Sequence, residues 1–318
     1  WISVNNSEID GEPQCTEFYD PPKVCYDKIR GEKMENKGSK FNMCWDITSK
    51  CNEDCKFCYR NKVKKDLSVA ENRRILQSLY DSNIINKITI CGGEPLMYQG
   101  LFELLESVNK PNDVSLSIVT NGIKLAKYDS HTKKFIIDKD LMNRIIKHFK
   151  WICFSIDSSN QDIENLVGRN NLHVERIRAI LDYLKENNSD VCIKINSLVS
   201  EQNYFEIPKL YEFISKYKFI KRWKLFRYLG DNNSKEINDY YEIKDLKFEE
   251  VKNFAKSIEN ENIKISINDI DTYNGTYIML KQDGTVEISN DGELKEVLDL
   301  KADDIRQINN IKEFNKDS

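Results

Sequence analysis

Short apolar runs alternate with longer amphipathic stretches from residue 41 onward. The apolar runs cover 41–47, 87–91, 115–120, 151–157, 191–198 and 222–226, each of strand length. Between them, stretches near 68–82, 100–109, 139–149, 174–187 and 205–217 repeat apolar residues at helical spacing. This alternation predicts an α/β fold of βα units on a parallel sheet. Six such units suggest a partial (β/α)6 barrel of the TIM type. Residues 228–318 break the rhythm: 231–241 reads as a polar loop and 247–260 as a helix. Runs 264–267 and 277–286 read as a strand pair turning at Asp283-Gly284. The chain thus divides into an amino-terminal extension (1–40), a barrel core (41–227) and a carboxyl-terminal α+β extension (228–318) expected to close the barrel.

Alternate side chains of a strand take opposite faces, and in a barrel one face lines the lumen. In 191–198, Ile193 and Ile195 suit the helix-covered outside, which turns Lys194 and Asn196 inward. In 222–226, Trp223 and Leu225 pack outward and Arg222 and Lys224 point inward. Run 151–157 offers Ser155 and Asp157 inward, with Phe154 and Ile156 opposite. Cations aimed into a lumen are costly unless an anion meets them. Three on adjacent strands predict a polyanionic ligand, and phosphates suit them best. Taken singly, each also fits as a snorkelling side chain at a strand end or as the partner of a neighbouring carboxylate.

Composition narrows the class without naming a chemistry. The 318 residues are 40% hydrophobic and 31% charged, with a net charge of −4, which gives a real core and an ordinary polar surface. No global basic excess suggests a nucleic-acid partner. No apolar stretch approaches the roughly 18 residues needed to span a membrane. No signal peptide is read at the amino terminus, and the opening at Trp1 leaves an upstream segment open. Of nine cysteines, Cys44, Cys91, Cys153 and Cys192 lie in strand-like runs, where the residue is commonly a small core side chain. Cys15 and Cys25 sit in a polar segment and read as free thiols, with a disulfide or a metal as the lesser alternative.

The remaining three cysteines change the picture. Cys51, Cys55 and Cys58 stand within eight residues, spaced three then two, with no fourth cysteine or histidine near. Structural zinc sites take four ligands, usually as paired knuckles. A cubane iron–sulfur cluster normally takes four thiolates; three leave one iron open for a substrate or cofactor. The cysteines follow the first strand, Gly92-Gly93-Glu94-Pro95 follows the second, and Thr120-Asn121-Gly122 follows the third. All three therefore fall on one rim, where ligands of such folds gather. A glycine pair lets backbone approach a ligand, and a carboxylate offers an acceptor to an ammonium.

This spacing, with Phe57 and Tyr59 flanking the last cysteine, resembles the radical S-adenosylmethionine (SAM) superfamily. The resemblance implies a [4Fe–4S] cluster on Cys51, Cys55 and Cys58, with SAM as the second cofactor. Phe57, Tyr59, Gly92, Gly93, Glu94, Asn121 and Ser155 are then the cofactor-binding residues, Glu94 accepting from the SAM ammonium. Reduction of such a cluster implies an electron donor such as flavodoxin or ferredoxin, and a cytoplasmic setting. No cysteine follows Cys192, so the chain cannot carry the auxiliary clusters of many peptide-modifying members.

The order Ser155-Ile-Asp157, Asn165-Leu-Val-Gly-Arg169, Lys194-Ile-Asn196, Arg222-Trp-Lys224 resembles the viperin family more narrowly, over residues 41–230 and weakly through 277–280. What that implies is conversion of a ribonucleoside triphosphate (CTP in the animal enzymes; UTP or GTP among prokaryotic relatives) to its 3′-deoxy-3′,4′-didehydro form. A 5′-deoxyadenosyl radical would take the ribose 4′ hydrogen. Lys194, Asn196, Arg222, Lys224 and Arg169 match residues that line that nucleotide site. The family also carries a phosphate-binding lysine after its third cysteine. Arg60, Lys62, Lys64 and Lys65 are the options here, and Lys62 is taken as the match. Tyr277 stands as a candidate for substrate contact or proton transfer. The membrane-binding helix of animal viperins is not visible. A peptide- or RNA-modifying radical SAM enzyme is the other reading, and a basic, aromatic-studded surface would have favoured it.

Overall fold

The structure is a computed structural model that describes residues 40–58, 60, 65–169, 172–187, 191–230, 233–258, 262–269, 278–290 and 293–310. Each predicted strand forms: β1 (Phe41–Thr48), β2 (Ile85–Gly92), β3 (Ser115–Thr120), β6 (Trp151–Ser155), β7 (Cys192–Val199) and β8 (Ile220–Arg227). A hairpin of β4 (Ala126–Asp129) and β5 (Lys134–Ile137) interrupts the series as its own small sheet. The carboxyl-terminal strands are β9 (Lys264–Asn268), β10 (Ile278–Leu280), β11 (Thr285–Asn290) and β12 (Glu293–Asp299). Ten strands make one sheet in the order β12-β11-β10-β1-β2-β3-β6-β7-β8-β9. It is parallel from β10 through β9, and only β11 is reversed, pairing antiparallel with both β10 and β12. The sheet is open, a partial barrel.

The helices are α1 (Val69–Asp81), α2 (Leu101–Glu106), α3 (Lys139–His148), α4 (Gln161–Leu166), α5 (His173–Glu186), α6 (Ile207–Ile214), α7 (Lys235–Tyr241) and α8 (Asp245–Ile258). Their starts are written in the sequence. Ser68 accepts from the Glu71 N–H while Glu71 accepts from the Ser68 N–H at 2.8 Å, a reciprocal cap that fixes α1. Asp138 caps α3, and Lys147 and His148 lie in its last turn, where the helix dipole favours cations. The apolar faces of these helices meet one face of the sheet. Ile88, Ile90, Ile118, Ile152, Phe154, Ile193, Ile195, Trp223 and Leu225 are all buried in that single core.

Residues 228–318 depart from expectation in three ways. Segment 231–241 contains helix α7 rather than a loop alone. Ser234 caps it, and Tyr241 is buried with its hydroxyl donating to the Leu166 carbonyl at 3.0 Å. Runs 264–267 and 277–286 do not pair with each other. β9 extends the sheet beside β8, whereas β10 pairs with β1 at the other side. The turn at Asp283-Gly284 instead joins β10 to β11. Helix α8 is what carries the chain across to a parallel β9, a connection that a tight turn cannot make. The extension therefore lengthens both sides of the sheet and shares its core through Ile278, Leu280, Val286 and Ile288.

Candidate active site

The rim above the parallel strands is assembled by backbone contact. Asp66 accepts from Thr48 Oγ1 at 2.6 Å and from the Ser49 N–H at 2.7 Å, which pins the chain leaving β1. The Gly93 N–H donates to the Thr48 carbonyl at 2.7 Å and the Glu94 N–H to the Lys50 carbonyl at 2.8 Å. A Cβ on Gly93 would lie 2.1 Å from the Lys50 oxygen, and Gly92 sits at φ +115°. Glycine is required here so that the exit of β2 can lie flush against the segment leading to Cys51.

Glu94 is 1% exposed. Its carboxylate accepts from Thr120 Oγ1 and the Asn121 N–H, both at 2.8 Å, and from the Leu96 N–H at 3.2 Å. Burial pushes its carboxyl up to about 7 against those donors. The side chain thus ties the rim of β2 to that of β3, while the Glu94 carbonyl accepts from the Met97 N–H at 2.8 Å. Asn121 reaches the cysteine loop, donating to Asn52 Oδ1 at 2.8 Å and approaching Cys51 Sγ at 3.8 Å.

Cys51, Cys55 and Cys58 are all free thiols. The Cys58 N–H donates to the Cys55 carbonyl at 3.1 Å, turning the loop tightly. Burial pushes Cys55 up to about 12 and raises Cys51. Among the described residues no three Cys, His, Asp or Glu side chains converge as a single-ion site does. A cubane binds each thiolate on a separate iron, so its ligands need not converge.

The loop is braced from the side of β6. Gly168, at φ +89°, packs on the backbone of Cys55 and Lys56. Arg169 donates to Asp157 at 2.9 Å and Glu53 at 3.3 Å, with its guanidinium 5.4 Å over the Phe57 ring. Glu164 accepts from the Asp157 and Ser158 N–H groups and is pushed up to about 8 by burial, with Asp157 beside it. His173, held down at about 4 chiefly by burial, contacts the Ser155 carbonyl at 2.8 Å. Arg169 therefore links Glu53 of the cysteine loop to Asp157 and Glu164 beyond β6. Ser155, half-buried at the end of β6, faces the same side.

The lumen face is charged. Burial alternates along β7 and β8 as parity predicts, with Lys194, Asn196, Arg222 and Lys224 on the open face. Register sets Cys153 beside Lys194 and Lys194 beside Arg222; one step higher Ser155, Asn196 and Lys224 align. Burial pulls Lys194 and Lys224 down to about 8 and lowers Lys87 and Arg222 as well. Asn196 Oδ1 is buried without a hydrogen-bond partner among the described residues. Lys87 is the residue that motif reasoning missed. It stands on β2 opposite the core residues Ile88 and Ile90, and it shares the Trp151 ring with Arg222 at 5.8 and 4.8 Å. The same alternation that found Lys194 would have found it. Tyr59, Lys62 and Tyr277, along with Cys15 and Cys25, lie outside the described residues.

Residues 45–214, more than half of the chain, match the model of the Radical SAM superfamily. The chain belongs to the radical SAM superfamily. A curated relative from Fibrobacter sp. (strain UWH6), named S-adenosylmethionine-dependent nucleotide dehydratase, is 27% identical over 267 residues, 76% of this chain and 75% of its own. A relative of the same name from Flammeovirga pacifica is 29% identical, over 60% of this chain and 67% of its own. Among solved structures, anSMEcpe with bound AdoMet shares the fold at a TM-score of 0.63 and 17% identity, covering 87% of this chain and 82% of that one. SuiB from Streptococcus suis, bound to S-adenosylmethionine, aligns at 0.58 and 17%, over 78% and 60% of the two chains.

Radical SAM enzymes use a [4Fe–4S] cluster and SAM, and the donor set here fits both. Three thiols share one loop; Cys55, buried and pushed up to about 12, gains most from a metal that keeps it ionised. The backbone of Gly92-Gly93-Glu94 lies directly against that loop. Among the described residues no helix is long and apolar enough to cross a membrane.

Proposed function

We propose that this radical SAM enzyme dehydrates a ribonucleoside triphosphate (CTP, UTP or GTP) to its 3′-deoxy-3′,4′-didehydro analogue, in defence against phage. The reading rests on one observation: Lys87, Lys194, Arg222 and Lys224 share the lumen face beneath the rim that carries the cysteine loop. Burial works against the charge on each, so a polyanion that meets them offsets that penalty and their mutual repulsion. The names of the Fibrobacter and Flammeovirga relatives favour a nucleotide as that polyanion.

When bound, the reduced cluster and SAM supply the radical that removes a hydrogen from the ribose. The chain's own residues do the rest. Cys51, Cys55 and Cys58 would hold the cluster, and the backbone of Gly92-Gly93-Glu94 would receive the SAM ammonium. Lysines and an arginine on β2, β7 and β8 would anchor the phosphates low in the lumen. From Lys87 to Gly92 the strand rises about 16 Å at 3.3 Å per residue, room for a phosphate chain below and a ribose above. Asn196, with its buried unpartnered Oδ1 one register step above Lys194, is suited to accept from a ribose hydroxyl.

The test is anaerobic incubation of reconstituted enzyme with SAM, dithionite and each ribonucleoside triphosphate in turn. Release of 5′-deoxyadenosine should accelerate with one triphosphate, and its didehydro product should appear by mass spectrometry. Indifference to all four would turn the assignment toward a peptide or RNA.

A further inference from the structure

Two thiols stand where the chemistry just proposed would occur. Cys44 on β1 and Cys91 on β2 are free, half-buried and hydrogen-bonded to one another across adjacent strands. Their sequence neighbours Met43, Trp45 and Ile90 fill the core on the opposite face, so neither thiol is a small core residue. Cys91 directly precedes the Gly92-Gly93 rim and lies 3.4 Å from Asp46 Oδ1. Asp46 in turn is paired with Lys281 at 2.5 Å, and Glu287 stands 3.9 Å beyond. Cys44 also feels the charges of Lys224 and Lys194, the proposed phosphate anchors. The pair therefore lies on the lumen face with those cations, and Cys91 adjoins the Gly92-Gly93 rim.

We propose that Cys44 and Cys91 form a redox pair that delivers the single electron needed to complete the dehydration. The inference rests on the nucleotide-dehydratase reading above. Loss of the 4′ hydrogen leaves a neutral C4′ radical. Departure of the 3′ hydroxyl, protonated to water, leaves a radical cation shared by C3′ and C4′. One electron then closes it to the C3′=C4′ double bond. A Cys44 thiolate gives that electron, and its sulfur bonds to that of Cys91, whose proton leaves and balances the proton used to make water. The net step converts nucleotide radical, thiolate and thiol into didehydronucleotide, water and a disulfide radical anion. One further electron and one proton restore the thiolate and thiol. Their source is the same class of low-potential one-electron donor that reduces the cluster.

The surroundings prepare the protonation state this balance requires. The hydrogen bond from Cys91 is the largest influence that brings Cys44 down to about 7, helped by Lys224 and Lys194 against burial and Asp46. The same pairing, burial and Asp46 push Cys91 well above its ordinary value. Near neutral pH Cys44 is thus the more readily ionised of the two, and Cys91 keeps its proton. A thiol beside a carbon radical gives up its hydrogen readily, so two idle thiols here would divert the reaction.

The experiment is a single turnover of holoenzyme carrying one electron per cluster, with excess reductant removed and the preferred triphosphate present. Wild type should form nearly one didehydronucleotide per 5′-deoxyadenosine, and freeze-quenched samples should show a sulfur-centred radical by electron paramagnetic resonance. Cys44→Ser and Cys91→Ser should keep iron content and triphosphate-stimulated 5′-deoxyadenosine release, while product per 5′-deoxyadenosine drops at least about tenfold. Full coupling in both variants overturns the redox pair and leaves the nucleotide reading standing. Wild type in which no triphosphate stimulates 5′-deoxyadenosine release overturns the nucleotide reading, and the pair with it. A second measurement needs no cofactor: iodoacetamide should label Cys44 of apoprotein with a midpoint near pH 7, shifted upward in Cys91→Ser. A Cys44 that alkylates like an ordinary thiol, unaffected by Cys91→Ser, also overturns the proposal.

Discussion

Replacing Lys194 with methionine keeps the length of the side chain and removes its charge. Burial lowers this ammonium from 10.5 to about 8, so the ligand-free fold carries a penalty for holding it charged at neutral pH. At 1.36 kcal/mol per pKa unit the full shift corresponds to ~3 kcal/mol, and water in the open lumen reduces this to about 1–3 kcal/mol. Lys194→Met should therefore stabilise the ligand-free protein, raising Tm by about 2–4 °C for each kcal/mol regained. The same change removes a charge-assisted contact to phosphate, costing about 1.5–3 kcal/mol of binding. That is a roughly 10–150-fold weaker dissociation constant for the triphosphate. Differential scanning fluorimetry without ligand and calorimetric titration with inorganic triphosphate measure the two effects separately. Opposite signs mark a residue held in strain for a ligand. A variant that melts lower than wild type and binds triphosphate equally well would refute the reasoning and make Lys194 a structural cation.

The pH dependence follows from the same groups. Lys194 and Lys224 titrate near 8 folded and near 10.5 unfolded, so between those values the unfolded chain holds more protons and stability from these groups rises with pH. A bound triphosphate keeps both charged, so the Tm increase it confers should be largest near pH 7 and shrink by about pH 9.5; a constant increase would contradict this. Gly93→Ala places a methyl 2.1 Å from the Lys50 carbonyl and should abolish cluster incorporation while far-ultraviolet circular dichroism stays native; normal iron content would show that the rim tolerates displacement. Stripping the iron leaves Cys51 and Cys55 as burial-raised thiols that must lose protons to rebind metal. Reconstitution should accelerate from about pH 7 to about pH 9, and a flat profile would show that these thiols are already ionised.

The parts of this protein that could be read from sequence are those governed by alternation. Lys194, Asn196, Arg222 and Lys224 face the lumen because Ile193, Ile195, Trp223 and Leu225 are committed to the core, and a two-residue period leaves no third choice. The cysteine spacing was equally legible because it is a property of one short loop. Contacts between distant rims were not. Glu94 reads as an acceptor for a ligand, and nothing in the sequence announces that its oxygens also accept from Thr120 and the Asn121 N–H at the end of β3. Arg169 is set beside the nucleotide by resemblance alone, which cannot reveal its ion pairs with Glu53, Asp157 and Glu164. The placement of 264–267 and 277–286 failed for a related reason. A strand's own residues announce that it is a strand, but its neighbour is set by the crossover between, and α8 sent β9 to the far edge.

Strand β2 shows why fold and site are difficult to separate here. Ile88 and Ile90 are fully buried in the core, Lys87 and Cys91 look into the lumen, and Gly92 and Gly93 form the rim against the cysteine loop. A slip of one residue would drive Lys87 into the core and turn the isoleucines toward the substrate. The cost of burying an unpaired ammonium among those side chains, several kcal/mol, forbids it. The charge that would hold the phosphates thereby also fixes the register, and with it the height of the Gly92-Gly93-Glu94 backbone above the lysines. In this arrangement the distance from phosphate anchor to SAM rim is set by counting residues along one strand, so an insertion within 87–92 should uncouple triphosphate binding from SAM cleavage even where both ligands still bind.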